Sequence, residues 1–384
     1  MPNIATIAQP GQALDMGSVG MILLTLLLAA VMACVLTPLV KAFSVKVGAI
    51  DVPKDNRRMH NRPIPRLGGL AIFLGFMFAV VLMVPLNGEE RGMLLGAVII
   101  VVLGVFDDIH ALPAKLKFVV QIAAALVSVL AGNQIRILSN PNLLSDNPVW
   151  VLEDWLAIVL SVVWVVAITN AVNLIDGLDG LACGVSTISS ATMLVIALLV
   201  SELNVAMIMG ALVGACIGFL PYNFNPAKIF MGDTGATFLG FIMANMSIQG
   251  MFKMYTIISF VAPFLVLGLP IFDVCFAVIR RLSKGQSPMR PDRSHVHHRL
   301  IDMGLSQKQA VGMLYVISAI LGLSAVVLTT SGALRAMIFL AAAALAALLA
   351  WRVLVAGHTG GARPGQPTEG KDEGGEEEHG PSER

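Results

Sequence analysis

Trp155-Leu-Ala-Ile-Val-Leu-Ser-Val-Val-Trp-Val-Val-Ala-Ile-Thr169 carries no charge, and it runs straight into Asn170-Ala-Val-Asn-Leu-Ile-Asp-Gly-Leu-Asp-Gly180. An apolar run of this length, wound as a helix, crosses most of a bilayer's hydrocarbon core. The polar knot then falls at the membrane edge, where ionisable groups are expensive to desolvate and usually mark function. A helix cap followed by a turn would explain one Asp-Gly pair. It would not explain the repeat, Asp176-Gly and Asp179-Gly, behind two asparagines.

The rest of the chain agrees. Of its 384 residues 57% are hydrophobic and 13% charged, with a mean hydropathy of +0.82; soluble domains carry about 25% charge. The chain is therefore an integral membrane protein. Cys34, Cys183, Cys216 and Cys275 lie singly within apolar runs, the pattern of small buried side chains and not of disulfides or a metal site. The first apolar run lacks a basic flank and is longer than a signal-peptide core, so it reads as a retained span.

Apolar runs long enough to cross the bilayer fall at 19–40, 67–86, 92–109, 115–132, 155–173, 181–200, 204–221, 235–250, 255–279, 310–330 and 334–355. The expected fold class is an all-α polytopic membrane protein of about eleven transmembrane helices. Basic residues are retained in cytoplasmic loops. Alternate loops of the eleven-span arrangement divide 17 Lys/Arg against 4, which places the N-terminus outside and the C-terminus in the cytoplasm. The domain reading is an external segment 1–18, a transmembrane domain 19–356 and a disordered, acidic cytoplasmic tail 357–384.

That topology brings Asp107-Asp108, Asp176, Asp179 and Asp233 to cytoplasmic membrane edges. Adjacent carboxylates at a helix C-terminus oppose the macrodipole and repel each other, so Asp107-Asp108 calls for a divalent cation or for Lys115 and Lys117. Asp176 and Asp179 share one face of a helical turn, and Asn173 continues it. These hard oxygen donors suit Mg²⁺ combined with substrate phosphates. Met231-Gly-Asp-Thr-Gly235 opens a helix whose backbone amides can bind an anion. Two basic cytoplasmic loops complete the face. One runs from Asp55 to Gly69; the other ends His295-Val-His-His-Arg299, a set suited to a diphosphate. Together these features describe phosphoryl chemistry between a soluble anionic partner and a lipid phosphate at the membrane boundary.

Several other classes fit less well. No Walker-type glycine-lysine loop is present, which argues against an ATP-driven pump. A secondary transporter, the main alternative, places its ionisable residues near mid-bilayer in two repeated halves. A CDP-alcohol phosphotransferase needs Ala-Arg where Leu178-Asp179 stands.

Pro65-Arg-Leu-Gly-Gly69, Asp107-Asp108, Asn170 to Gly180, Phe230-Met-Gly-Asp-Thr-Gly235 and His295-Val-His-His-Arg299 resemble, in order, the motifs of the polyprenyl-phosphate N-acetylhexosamine-1-phosphate transferases of glycosyltransferase family 4. The fifth block is similar to that of the branch using UDP-N-acetylglucosamine. The resemblance implies transfer of GlcNAc-1-phosphate from UDP-GlcNAc to undecaprenyl phosphate with release of UMP, at the cytoplasmic face of a bacterial plasma membrane. Another UDP-N-acetylhexosamine is the alternative donor. It implies Mg²⁺, with Mn²⁺ as a substitute, and it allows a homodimer but no nucleic-acid partner. By the same resemblance Asp107, Asp108, Asp176 and Asp179 are catalytic, and Asn173, Asp233 and Asp108 are metal ligands. The implied substrate contacts are Arg66, Gly68, Gly69, Lys115, Asn170, Phe230, His295, His297, His298 and Arg299.

Overall fold

Residue 232 begins a sixteen-residue helix, Gly232–Ser247, in which every residue from Thr234 onward is buried. A helix that is apolar all round has to be enclosed by others, and the rest of the bundle is built around this one. The computed structural model describes residues 16–52, 62–139, 149–252, 257–283, 285 and 295–331, with isolated positions beyond. The described residues up to Leu340 form one compact unit; of a second unit, 341–384, only Ala344 is described. Residues 1–15 of the segment expected to be external, the eleventh expected span (apart from three isolated positions) and the acidic tail lie outside the described residues.

Chain order gives α1 (Met16–Lys46), β1 (Ile50–Asp51), β2 (Ile64–Pro65), α2 (Gly68–Met83), α3 (Gly88–His110), α4 (Ala114–Leu130), β3 (Ile137–Ser139), β4 (Val149–Val151), α5 (Asp154–Leu174), α6 (Leu181–Leu199) and α7 (Leu203–Asn223). The buried helix is α8; a π-helical turn, Ile248–Phe252, continues it, and α9 (Ile257–Val266), α10 (Gly268–Ser283), α11 (Val296–Asp302) and α12 (Gln307–Ser331) follow. β1 pairs antiparallel with β2, and β3 with β4. Among the described residues, six helices (α1, α3, α5, α6, α7 and α12) are long and apolar enough to cross a membrane. The all-α polytopic class therefore holds.

Small residues set the helix spacing, as expected where packing has to replace the hydrophobic effect. A Cβ on Gly214 or Gly218 of α7 would stand 2.1 Å from the Leu26 or Ala30 carbonyl of α1. On α3, Gly96 faces α4 and Phe241 of α8, and Gly104 lets the Thr234 backbone approach. The start of α3 is fixed by a capping box: Asn87 accepts from the Glu89 and Glu90 amides, while Glu90 accepts from the Asn87 amide. Two details depart from the sequence reading. The expected single span 255–279 is broken at Leu267 into α9 and α10, because Pro270 has no N–H for the Val266 carbonyl. Asp176 and Asp179 sit in a turn and not on a helical face.

Candidate active site

At one end of the bundle the C-terminus of α3, the turn after α5, the N-terminus of α8 and α11 come together. Two glycine-bearing motifs build the floor by binding each other. The Phe230 amide donates to the Pro65 carbonyl at 2.8 Å, and the amides of Gly68 and Gly69 donate to the carbonyls of Phe230 and Met231 at 2.9 and 2.8 Å. A Cβ on Gly69 would lie 2.0 Å from the Gly235 nitrogen, and one on Gly68 2.5 Å from the Phe219 ring. Gly232 has φ +71°, and a Cβ there would meet the Arg66 carbonyl at 2.1 Å. Gly68 and Gly69 thus seat α8 and line neither cavity described below, whereas Arg66 and Phe230 do reach one.

The paired aspartates of α3 have different partners. Asp108 accepts from the Asp233 and Thr234 amides at 3.1 and 3.0 Å and from the Thr234 hydroxyl at 2.6 Å. It is an N-terminal anchor for α8, supplied from another helix, where negative charge is favoured. Arg66 donates to the main-chain carbonyls of both aspartates. Asp107 accepts from the Leu112 amide at 2.7 Å and from Lys117 Nζ at 2.9 Å. Lys117 also reaches Asp233 at 3.0 Å, so one ammonium bridges α3 and α8.

Asp179 accepts from Asn225 Nδ2 at 2.9 Å and from the Ala227 amide at 3.0 Å, tying the α7–α8 loop to the turn. Asn170 donates to Gln121 at 2.7 Å. Asp176 differs: its carboxylate accepts no hydrogen bond among the described residues. Burial, with the carboxylates of Asp233, Asp108 and Asp179 nearby, pushes it up to about 8.

Two cavities open here. The first, about 310 Å³, is lined by Arg66, Asp108, Asn173, Asp176, Asp179, Phe230, Asp233 and His298 among others. The second, about 860 Å³ and mainly apolar, is lined by Leu103, Asp107, Lys115, Lys117, Phe118, Asn170, Asn173, Asp233, Arg281 and His295 among others. Asn173 and Asp233 belong to both walls. Among the described residues no three His, Cys, Asp or Glu groups form a metal cage by themselves. An unpartnered carboxylate crowded by others, beside a carboxamide, nevertheless fits a cation that takes one or two carboxylates and completes its shell with substrate phosphates. Asp176, Asn173 and Asp233 are the residues that could hold it.

The histidines divide among three places. His295 lines the larger cavity and pairs with Asp273 at 2.8 Å. His298 lines the smaller one. His297 lines neither; it is buried between them, stacked on His295 and tilted against His298. Its Nε2 lies where a Cβ on Gly177 would stand, and burial, with the neighbouring His298 charge, pushes it down to about 4. Arg299 is exposed and lies 5.2 Å from the Phe276 ring, on neither cavity wall. Sequence reasoning gave no role to Thr234, Gly104, Asn225 or Asp273, and treated Lys117 only as a counter-charge. The ten-residue spacing from Asp107 to Lys117, across a helix end, was the available signal.

A polytopic helical bundle with two adjoining cavities at one end, lined by carboxylates, lysines and histidines, is the class of protein that this fold defines. Residues 91–251 match the model of the glycosyl transferase family 4. The chain is 44% identical to a Bacillus subtilis protein named probable undecaprenyl-phosphate N-acetylglucosaminyl 1-phosphate transferase, over 77% of this chain and 82% of that one. It is 35% identical to the decaprenyl-phosphate N-acetylglucosaminephosphotransferase of Mycolicibacterium smegmatis, over 75% and 77%. To the Escherichia coli O157:H7 undecaprenyl-phosphate alpha-N-acetylglucosaminyl 1-phosphate transferase it is 29% identical, over 72% and 75%. The chain belongs to glycosyl transferase family 4, among the polyprenyl-phosphate hexosamine-1-phosphate transferases.

Proposed function

We propose that this protein transfers GlcNAc-1-phosphate from UDP-GlcNAc to undecaprenyl phosphate, releasing UMP, at the cytoplasmic face of a bacterial plasma membrane. The observation that carries this is the pair of cavities sharing Asn173 and Asp233: one small and polar, the other larger and apolar with lysines at its rim. A sugar nucleotide suits the first and a lipid phosphate the second. Their reacting groups then meet at the shared wall, and holding them together removes much of the entropic barrier. The 17-to-4 division of basic residues supports the cytoplasmic assignment and an eleven-span chain with its N-terminus outside.

In this reading Asp176, Asn173 and Asp233 would hold Mg²⁺. When bound, the ion supplies a Lewis acid for the diphosphate oxygens. Phe230 offers an aromatic face to the uracil, and His298 completes the donor wall. Lys115 and Lys117 attract the acceptor phosphate to the mouth of the apolar cavity. That phosphate is already largely ionised at neutral pH, so attack on the β-phosphorus needs no strong base. Asp107, held by Lys117 and the Leu112 amide, orients the lysine. Asp108 keeps the α8 N-terminus, and with it Asp233, in place. UMP leaves with the electron pair of the broken phosphorus–oxygen bond.

The test is UMP release by purified protein with undecaprenyl phosphate, Mg²⁺ and a panel of UDP-sugars. UDP-GlcNAc is expected to be the best donor. A preference for another UDP-N-acetylhexosamine would reassign the donor, and no release with any of them would remove the function.

A further inference from the structure

Asp273 is the one carboxylate of α10 and is 3% exposed. Its Oδ2 meets His295 Nδ1 at 2.8 Å, and its Oδ1 accepts from the Val296 amide at 2.8 Å. One side chain therefore does two things. It satisfies an amide at the N-terminus of α11, and it sets the ring of the residue that precedes this short helix. A carboxylate can only accept, so the His295 proton on this side sits on Nδ1. Nε2 is then the ring nitrogen available to the apolar cavity that His295 lines. Three residues on, His298 lines the polar cavity. The helix that addresses both cavities is fixed at its start by a residue from the broken span α9–α10.

We propose that Asp273 is a positioning residue for the transfer: it docks α11 between donor and acceptor cavities and holds His295 in the tautomer whose Nε2 lone pair accepts the proton that a monoprotonated lipid phosphate still carries. This rests on the assignment of the two cavities made above. Asp273 itself touches neither substrate, since it is absent from both cavity walls. Position and tautomer are separable. In Asp273→Asn the amide oxygen can still accept from Val296, but its NH₂ can only donate to His295 Nδ1, which moves the ring proton to Nε2. Asp273→Ala removes both interactions.

The experiment is steady-state UMP release with each substrate varied in turn, on wild type and both variants, each checked for a monodisperse, cooperatively unfolding preparation. Asp273→Asn is expected to keep KM for UDP-GlcNAc within about twofold while kcat falls on the order of tenfold to a hundredfold, the range for losing a hydrogen bond to a charged partner. Asp273→Ala is expected to lose kcat and also raise KM for both substrates. Full rescue by asparagine would show a packing role only and overturn the tautomer assignment. Wild-type kinetics in both variants would overturn the whole inference. Absence of UMP release in the wild type itself would instead count against the cavity assignment. Because asparagine is isosteric, the proposal stays testable even if the alanine variant does not fold.

Discussion

Gly177 is where a single methyl group should do the most damage for the least chemical change. Built on the present backbone, an alanine Cβ would lie 2.1 Å from His297 Nε2, 2.8 Å from Cε1 and 3.0 Å from Cδ2. Reaching an ordinary contact of about 3.5 Å from 2.1 Å asks for a displacement of about 1.4 Å. The imidazole has little room to give, being 3% exposed and flanked by the rings of His295 and His298. The turn carrying Asp176 and Asp179 must therefore shift, or α11 must. A misplacement of about 1 Å at a reacting site costs on the order of a hundredfold in rate. Gly177→Ala is accordingly expected to lower kcat for UMP release about a hundredfold, in a protein that remains folded. The second arm is Gly177→Ala/His297→Ala, which empties the space the methyl group needs. It is expected to recover at least about tenfold of the loss, a coupling of roughly 1.4 kcal/mol, within the range measured for touching residues. Wild-type turnover in Gly177→Ala, or a double variant no better than the single one, would refute the idea that His297 is a wedge under the aspartate turn.

Lys117→Met removes the ammonium shared by Asp107 and Asp233; turnover should fall at least about a hundredfold, with Lys117→Arg recovering part of it, and equal rates in both would separate the bridge from the chemistry. Asp108 and Asp176 should part company under the same substitution. Asp108→Asn disrupts the α8 anchor and should lower both the unfolding midpoint and turnover. Asp176→Asn should abolish turnover but leave the metal-free midpoint unchanged or raised, because it relieves a crowded carboxylate, and a lowered midpoint would contradict its unpartnered state. The Asp176 carboxyl also sets a pH dependence. Standing at about 8 in place of the usual 3.8, it is protonated below that pH, and a divalent ion has to displace the proton. Apparent Mn²⁺ affinity should thus be flat above pH 8 and fall about tenfold per unit below it. The slope should become shallower in Asp176→Asn, where Asp233, itself raised by burial and by Asp107, is the remaining carboxylate of the set, and a calorimetric titration from pH 6 to 9 reads it.

The bundle was legible because apolar length and helix length coincide: helices stand at the first ten apolar runs, with one run broken. The break was missed since Pro270 lies in a sequence whose hydropathy hardly changes across it. Single-residue hydropathy does not register a missing N–H. At the site, the gathering of Asn173, Asp176 and Asp233 on one cavity wall was foreshadowed by the topology that put Asp176 and Asp233 at the same membrane edge. What could not be read is which polar groups hold other polar groups. Asp108 lines the polar cavity as expected of a site residue, but its bond to the Thr234 hydroxyl, 126 positions away, has no local signal. Gly68 and Gly69 were expected to be substrate contacts, and they are where α8 touches α2. Such pairings between distant segments follow from topology, and no local pattern encodes them.

The most direct measurement is the fate of the β-phosphate. With UDP-GlcNAc labelled there, and undecaprenyl phosphate and Mg²⁺ present, two adjoining cavities that bring donor and acceptor together predict one labelled lipid diphosphate sugar for each UMP released. UMP accompanied by free GlcNAc-1-phosphate, or no label in the lipid, would contradict transfer between them.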